Sequence, residues 1–407
     1  MHTDRRRRMT LSNTTQHYGS VAKTFHWLTA LLILTLIPLG IFANDLPYET
    51  SEQLTRKAWY FSLHKTLGVT VFFVALARII WAISQPKPAL LHADRKVESL
   101  AAQSVHWLLY GSLLLVPLSG WVHHAATSGF APIWWPLGQN LPLIPKSEAL
   151  AGFTAGLHIV FERVLVVSIF LHAAGALKHH FIDRDSTLRR MLPGTPQVPA
   201  VNAGHATVLP LAVALVIWGG AVATGASLGL YEKHDGSVQA AALEAVQSDW
   251  VVQDGTLEIT VQQLGSAVTG SFADWTAAIS FDETVQSGPA GSVDVIVSIG
   301  SLTLGSVTSD AMGSDFFNAE GFPTASFNAT IERGEQGYAA IGALTIKGTT
   351  LPATLPFTLD VSDGVATMQG GLQIDRRDFK IGESQKDESA VGFAVDVAVS
   401  LTASEGG

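Results

Sequence analysis

One stretch limits the fold more than any other: residues 157–180, LHIVFERVLVVSIFLHAAGALKHH. A helical crossing of a bilayer core takes about 20 predominantly apolar residues, and this segment is long enough. It nevertheless carries His158, His172, His179 and His180. Ionisable side chains are costly in hydrocarbon, so histidines inside such a span point to function. His158 and His172 are fourteen positions apart. At about 100° and 1.5 Å per residue they lie roughly 40° apart in azimuth and roughly 21 Å apart along the axis. One helix face therefore offers an imidazole near each surface of a membrane, a geometry that suits two stacked haems.

Composition narrows the means of holding them. The 407 residues include no Cys, which excludes disulfides, iron–sulfur clusters and covalent C-x-x-C-H haem attachment. Haem here would be held by neutral imidazole. Charged residues are only 14% of the chain, yet they are unevenly placed. Residues 232–407 hold 7 Lys and Arg against 24 Asp and Glu, a net of -17, whereas residues 1–231 carry +8. Such asymmetry predicts different surroundings for the two parts, and the acidic part does not favour nucleic acid.

Five apolar spans follow a basic N-terminus (residues 1–24, with Arg5 to Arg8): about 25–43, 61–83, 105–126, the opening stretch, and 208–230. Lys and Arg concentrate before span one, between spans two and three, and after span four, so the positive-inside rule puts the N-terminus in the cytoplasm. An odd number of spans then puts the acidic part outside, in the periplasm of a bacterial inner-membrane protein. The spans predict a four-helix membrane domain over 25–192, then a Pro-containing linker and fifth transmembrane helix over 193–231, which acts as a tether. A connector (232–248) leads to the final domain, 249–407.

Depth sorts the histidines. His26 opens span one on the inner side and His64 opens span two on the outer side, while span four runs inward from His158 to His172. The pairs that agree are His26 with His172 and His64 with His158, each able to ligate one haem iron between facing helices. His179, one heptad beyond His172, is the rival ligand, though it belongs nearer the headgroups. His106 is a candidate quinone or proton-path residue. His92, His123, His124 and His180 read as loop or interfacial residues.

From residue 249 onward the pattern changes to short alternating runs such as TLEITVQQ, SVDVIVSIGSL and FAVDVAVSLTA, bounded by Gly, Asp, Ser and Pro. Period-two alternation at this spacing predicts an all-β antiparallel barrel or sandwich. Helical patches are expected at 308–317 and 239–247. An eight-stranded barrel has room for one slender ligand, and Phe272, Trp275, Phe281, Phe317 and Phe327 are candidate lining residues.

Two resemblances are carried by motifs. His26-Trp27, His64-Lys65-x-x-Gly68, His106-x-x-x-Tyr110 and His158 with Leu171-His172-Ala173-Ala174 and His179-His180 resemble the bacterial cytochrome b561 family over about residues 17–192. That resemblance implies a four-helix, di-haem membrane protein exchanging electrons with quinone, with ligands at His26, His64, His158 and His172. Some members are thought to oxidise superoxide and reduce ubiquinone. Val268-x-Gly270-x-Phe272, Ser314-Asp315-Phe316-Phe317-Asn318, Phe322-Pro323-x-Ala325-x-Phe327 and Asp375-Arg376-x-Asp378-Phe379 resemble the YceI family over about 249–403. That second resemblance implies a lipocalin-like barrel that binds polyisoprenoid lipids. It departs from the family at Gln262-Gln263-Leu264-Gly265, where a histidine is usual.

The expected protein is thus a multidomain membrane cytochrome with two haem b groups and a tethered periplasmic barrel for ubiquinone, another isoprenoid quinone or a polyprenyl lipid. Its electron donor or acceptor is left unidentified. Two other functions stay open: a superoxide oxidase passing electrons to ubiquinone, and an anchored lipid carrier with no redox role.

Overall fold

A computed structural model describes residues 10–136, 138–196, 204, 208–231, 240–244, 246–335 and 337–406. The arginine run and much of the expected linker and connector lie outside the described residues. The chain divides into two compact units: Met1–Asp45, Tyr60–Ala126 and Ile133–Lys233 form one, while Leu46–Trp59, Thr127–Pro132 and His234–Gly407 form the other.

In the first unit every apolar span is a helix long and apolar enough to cross a membrane: α1 (Ser20–Asp45), α2 (Ser51–Ser84), α3 (Lys96–Ala126), α4 (Glu148–Phe181) and α5 (Val208–Ser227). Ser147 caps α4, its Oγ accepting the Leu150 N–H at 3.3 Å, and Lys178, His179 and His180 complement the dipole in the last turn. Ile33 and Leu36 of α1, Val71 and Ala75 of α2, Leu113 of α3 and Leu165 of α4 share one buried core. By sequence spacing this apolar layer lies between the two expected histidine depths, since Leu165 is seven residues from both His158 and His172.

The fifth helix does more than tether. It packs on α3 and α4 through glycines that admit bulky neighbours. A Cβ built on Gly111 of α3 would stand 2.0 Å from Cη2 of Trp218, and one built on Gly225 would stand 2.8 Å from Cγ2 of Val160. Small residues at such crossings let helices approach closely in lipid, where the hydrophobic effect does not drive association. One end of the bundle is tied by Arg190, a buried guanidinium donating to Gln16 O at 2.7 and 3.1 Å and to Ala89 O at 2.9 Å. Lys23, also buried, donates to the carbonyls of Leu192 and Gly194.

The second unit is one antiparallel sheet curled upon itself. Its strands are β1 (Trp250–Gln263), β2 (Ser266–Phe272), β3 (Trp275–Phe281), β4 (Gly288–Ser298), β5 (Leu302–Thr303), β6 (Thr324–Gly334), β7 (Gly337–Ile346), β8 (Thr349–Ser362), β9 (Val365–Asp375) and β10 (Val391–Glu405). They run in the order β3-β4-β6-β7-β8-β9-β10-β1-β2-β5. Among the described residues the sheet has ten strands rather than the eight expected, because short β5 adds to β2 and the alternating runs divide more finely than composition suggests. Three hairpins turn on residue pairs with both φ positive: Leu264-Gly265 (48° and 78°), Lys347-Gly348 (49° and 71°) and Asp363-Gly364 (54° and 73°). That conformation matches the strand twist, and glycine adopts it without a Cβ clash.

Two helical expectations shrink. The 308–317 patch is helical only over α6 (Thr308–Met312), after which turns take over. Residues 240–244 and 246–247 are not helical. Ala, Glu and Gln are good helix formers, but propensity alone does not offset the nucleation cost of so short a segment.

The loop between β9 and β10 is held by Arg376, which is 2% exposed. Its five N–H groups reach the carbonyls of Gly392 (3.0 Å), Ile381 (2.8 Å), Gly382 (2.7 Å), Gln385 (2.7 Å) and Val391 (3.2 Å). Every guanidinium donor is used, which offsets the cost of burying the charge.

Candidate functional site

The helical unit gathers histidines in two groups. In the first, the His26 and His172 rings lie 6.0 Å apart centroid to centroid, with planes at 59°. His106, exposed, meets His172 edge-on at 5.1 Å and so stands beside this pair. Arg78 of α2 brings a guanidinium Nη2 to 3.5 Å from His26 Nδ1 and stacks over Tyr110 at 5.2 Å. The sequence reading missed Arg78, although a charged residue inside the span 61–83 is the signal that would have found it.

In the second group, His64 and His158 lie within electrostatic reach of each other. Each is held through Nδ1 by a backbone carbonyl of the preceding helix: His64 to Leu36 O at 3.1 Å, His158 to Val116 O at 2.8 Å. A carbonyl fixes the proton on Nδ1, which leaves Nε2 as the free lone pair of a neutral imidazole. Lys65, 8% exposed, follows His64. His123 donates through Nδ1 to Ala151 O at 2.8 Å and meets the His124 ring edge-on at 4.6 Å.

His179 is engaged elsewhere. Its Nδ1 lies 2.6 Å from Asp185 Oδ2 and 3.2 Å from Asp183 Oδ2, and its Nε2 lies 3.3 Å from Glu98 Oε1. His92 bonds the same Asp185 oxygen at 2.9 Å and stacks on His179 at 5.8 Å. Hydrogen bonds from Lys178 and Arg95 hold the Asp183 carboxyl down at about 2. These groups form an ion-paired cap and lie apart from the His26–His172 group.

The second unit encloses a cavity of about 310 Å³, within the range typical of small-ligand pockets. Phe272, Trp275, Phe281 and Phe327 line it from strands, and Phe317 lines it from the turn after α6. Phe272 and Phe317 meet edge-on at 6.5 Å. The sequence reading missed Tyr48 and Leu54, which also line the cavity from the Leu46–Trp59 segment of this unit. Nothing in a loop between apolar spans signals such a role. The polar exceptions include Gln385, 3% exposed, whose Nε2 donates to Glu49 O at 3.1 Å while its Oε1 is buried without a partner.

Apolar helices that group partly buried histidines, in one chain with a curled sheet around an apolar cavity, mark a multi-pass membrane protein joined to a separate β unit. Residues 17–194 match the family model for prokaryotic cytochrome b561 and residues 250–403 that for the YceI-like domain. "Cytochrome b561 homolog 2" of Escherichia coli K12 is 32% identical over 191 residues, covering 45% of this chain and 95% of that protein. The chain belongs to the prokaryotic cytochrome b561 family, and with that membership come haem b and electron transport. "Probable superoxide oxidase CybB" of Yersinia pestis is 23% identical, covering 43% of this chain and 96% of that protein. The crystal structure of Burkholderia cenocepacia BcnA is 28% identical with a TM-score of 0.34, covering 36% of this chain and 95% of that one.

Proposed function

We propose that this chain is a di-haem inner-membrane cytochrome that exchanges electrons with an isoprenoid quinone, and that its C-terminal sheet holds the quinone or a related polyprenyl lipid on the periplasmic side. The observation that carries the first half is the 6.0 Å spacing of the His26 and His172 rings. That spacing leaves room for a metal-centred group between the two imidazoles, whose nitrogens bond such ions at about 2.0–2.1 Å. His26 with His172 and His64 with His158 would hold the two groups, which would supply one-electron chemistry at both depths. Arg78 brings positive charge to the inner pair, the sign that suits a carboxylate-bearing cofactor. The positive flanks support a cytoplasmic N-terminus.

For the second half, the cavity accepts a slender apolar chain, and the orphan Gln385 Oε1 would accept a hydrogen bond from a hydroxyl on it.

Haem b per chain, measured by pyridine haemochrome on detergent-purified protein, tests the ligand set. The wild type is expected to hold two, and His64→Ala, His158→Ala or His172→Ala one each. Single variants that all keep two would refute the assignment. Lipid extraction from the same preparation tests the cavity, and an empty one would remove the carrier role. Superoxide as donor is a second reading, favoured by the name of the Yersinia relative. Stopped-flow superoxide addition with ubiquinone present separates it from quinone exchange alone.

A further inference from the structure

The two carbonyls that hold His64 and His158 share a sequence relation. Leu36 O is followed four residues later by Gly40, and Val116 O by Gly120. In a helix the carbonyl of residue i accepts the N–H of residue i+4, and it retains a second lone pair. The Cβ of residue i+4 leans toward the N-terminus, over that same carbonyl. A side chain at i+4 can therefore crowd a ring that approaches this lone pair from the same side.

At both places the ring lies where a Cβ of the glycine would stand. A Cβ built on Gly40 would lie 2.8 Å from Cε1 and 3.1 Å from Nδ1 of His64. One built on Gly120 would lie 2.9 Å from Nδ1 and 3.1 Å from Cε1 of His158. The shorter distance at each glycine is one that real Cβ atoms essentially never show, so with alanine each ring must shift against its carbonyl. The arrangement occurs twice: α1 receives the histidine of α2, and α3 receives that of α4. The inner pair lacks it. There His26 Nδ1 faces the Arg78 guanidinium, a group that can only donate.

We propose that Gly40 and Gly120 are positioning residues of the outer cofactor site. Each opens a carbonyl that fixes its histidine as the Nδ1–H tautomer and makes it a stronger donor ligand than either inner histidine. This rests on the reading of His64 and His158 as haem ligands. Loss of such outer-shell hydrogen bonds typically weakens metal holding by about 10- to 100-fold.

The test is Gly40→Ala and Gly120→Ala in the full-length, haem-loaded protein, with Gly175→Ala, whose Cβ meets no atom within 4 Å, as the control. Haem stoichiometry, redox titration and electron paramagnetic resonance are read together. Both variants are expected to fall from two haems toward one, or to keep two with one midpoint raised and one low-spin signal altered. The other midpoint and the control should match wild type. Two haems with both midpoints and both signals unchanged would overturn the proposal. A wild type with fewer than two haems would overturn the ligand reading beneath it, so the two failures are distinguishable. If a variant does not accumulate, electron–nuclear double resonance on the wild type decides. One low-spin signal should keep its Nδ1 protons through ²H₂O exchange, and exchange at equal rates in both would refute the idea.

Discussion

Gly111→Ala probes how firmly the fifth helix is bound to the bundle. The added Cβ would stand 2.0 Å from Cη2 and 2.3 Å from Cζ2 of Trp218. Carbon atoms pack at about 3.5–4.0 Å, so the indole or α5 must retreat by about 1.5 Å. Overpacking of this kind costs about 1–3 kcal/mol. Alanine regains about 1 kcal/mol over glycine in a helix interior, so the expected net loss is about 0–2 kcal/mol. The double variant Gly111→Ala/Trp218→Ala removes the clash while keeping the gain. A double-mutant cycle should therefore show a favourable coupling of about 1–3 kcal/mol. Equilibrium unfolding in detergent, followed by far-ultraviolet circular dichroism, measures it. If Gly111→Ala unfolds like wild type and the two substitutions add independently, the notch does not bind α5.

Three further outcomes follow from the geometry. Arg376→Lys offers three donors to five carbonyls and should destabilise the β unit by about 3–5 kcal/mol in chemical denaturation, whereas a surface Lys would cost little. Ala340→Phe places a ring in the cavity from a position 2% exposed, and should abolish lipid co-purification by mass spectrometry while the domain stays folded. Asp183 titrates near 2 when folded against an ordinary 3.8, so its charged form stabilises the fold above about pH 4 and that contribution fades as pH falls through 2. The difference in melting temperature between wild type and Asp183→Asn should accordingly be present at pH 7 and shrink as pH falls from about 4 through 2.

Much of this was legible in the chain itself. Apolar length fixes the spans because backbone polar groups in lipid must be satisfied within a helix. Pairing His26 with His172 follows from rise per residue and the alternating direction of the spans, and the rings do lie together. Four of the five aromatic residues of the cavity sit on alternating strands, and Phe317 sits on a turn. What escaped had a physical reason for doing so. Gly40 and Gly120 look like ordinary packing glycines, since only a neighbouring helix reveals the carbonyl they uncover. His106 sits near a span end, and only the tilt of α3 decides that it meets His172. Tyr48 and Leu54 belong to a unit whose strands begin about two hundred positions later. Arg78 was in plain view, but a lone charge in a span does not name its partner.

The Arg376 lock has a consequence for how the cavity could empty. Arg376, Ile381, Gln385 and Val391 all contribute to the wall. A guanidinium stays protonated throughout the accessible pH range, and backbone carbonyls do not titrate. The guanidinium lock itself is therefore deaf to acidity, unlike a latch made from histidine or carboxylate. What acid could act on is the carboxylate of Asp315, which accepts from Ser384 in the same loop.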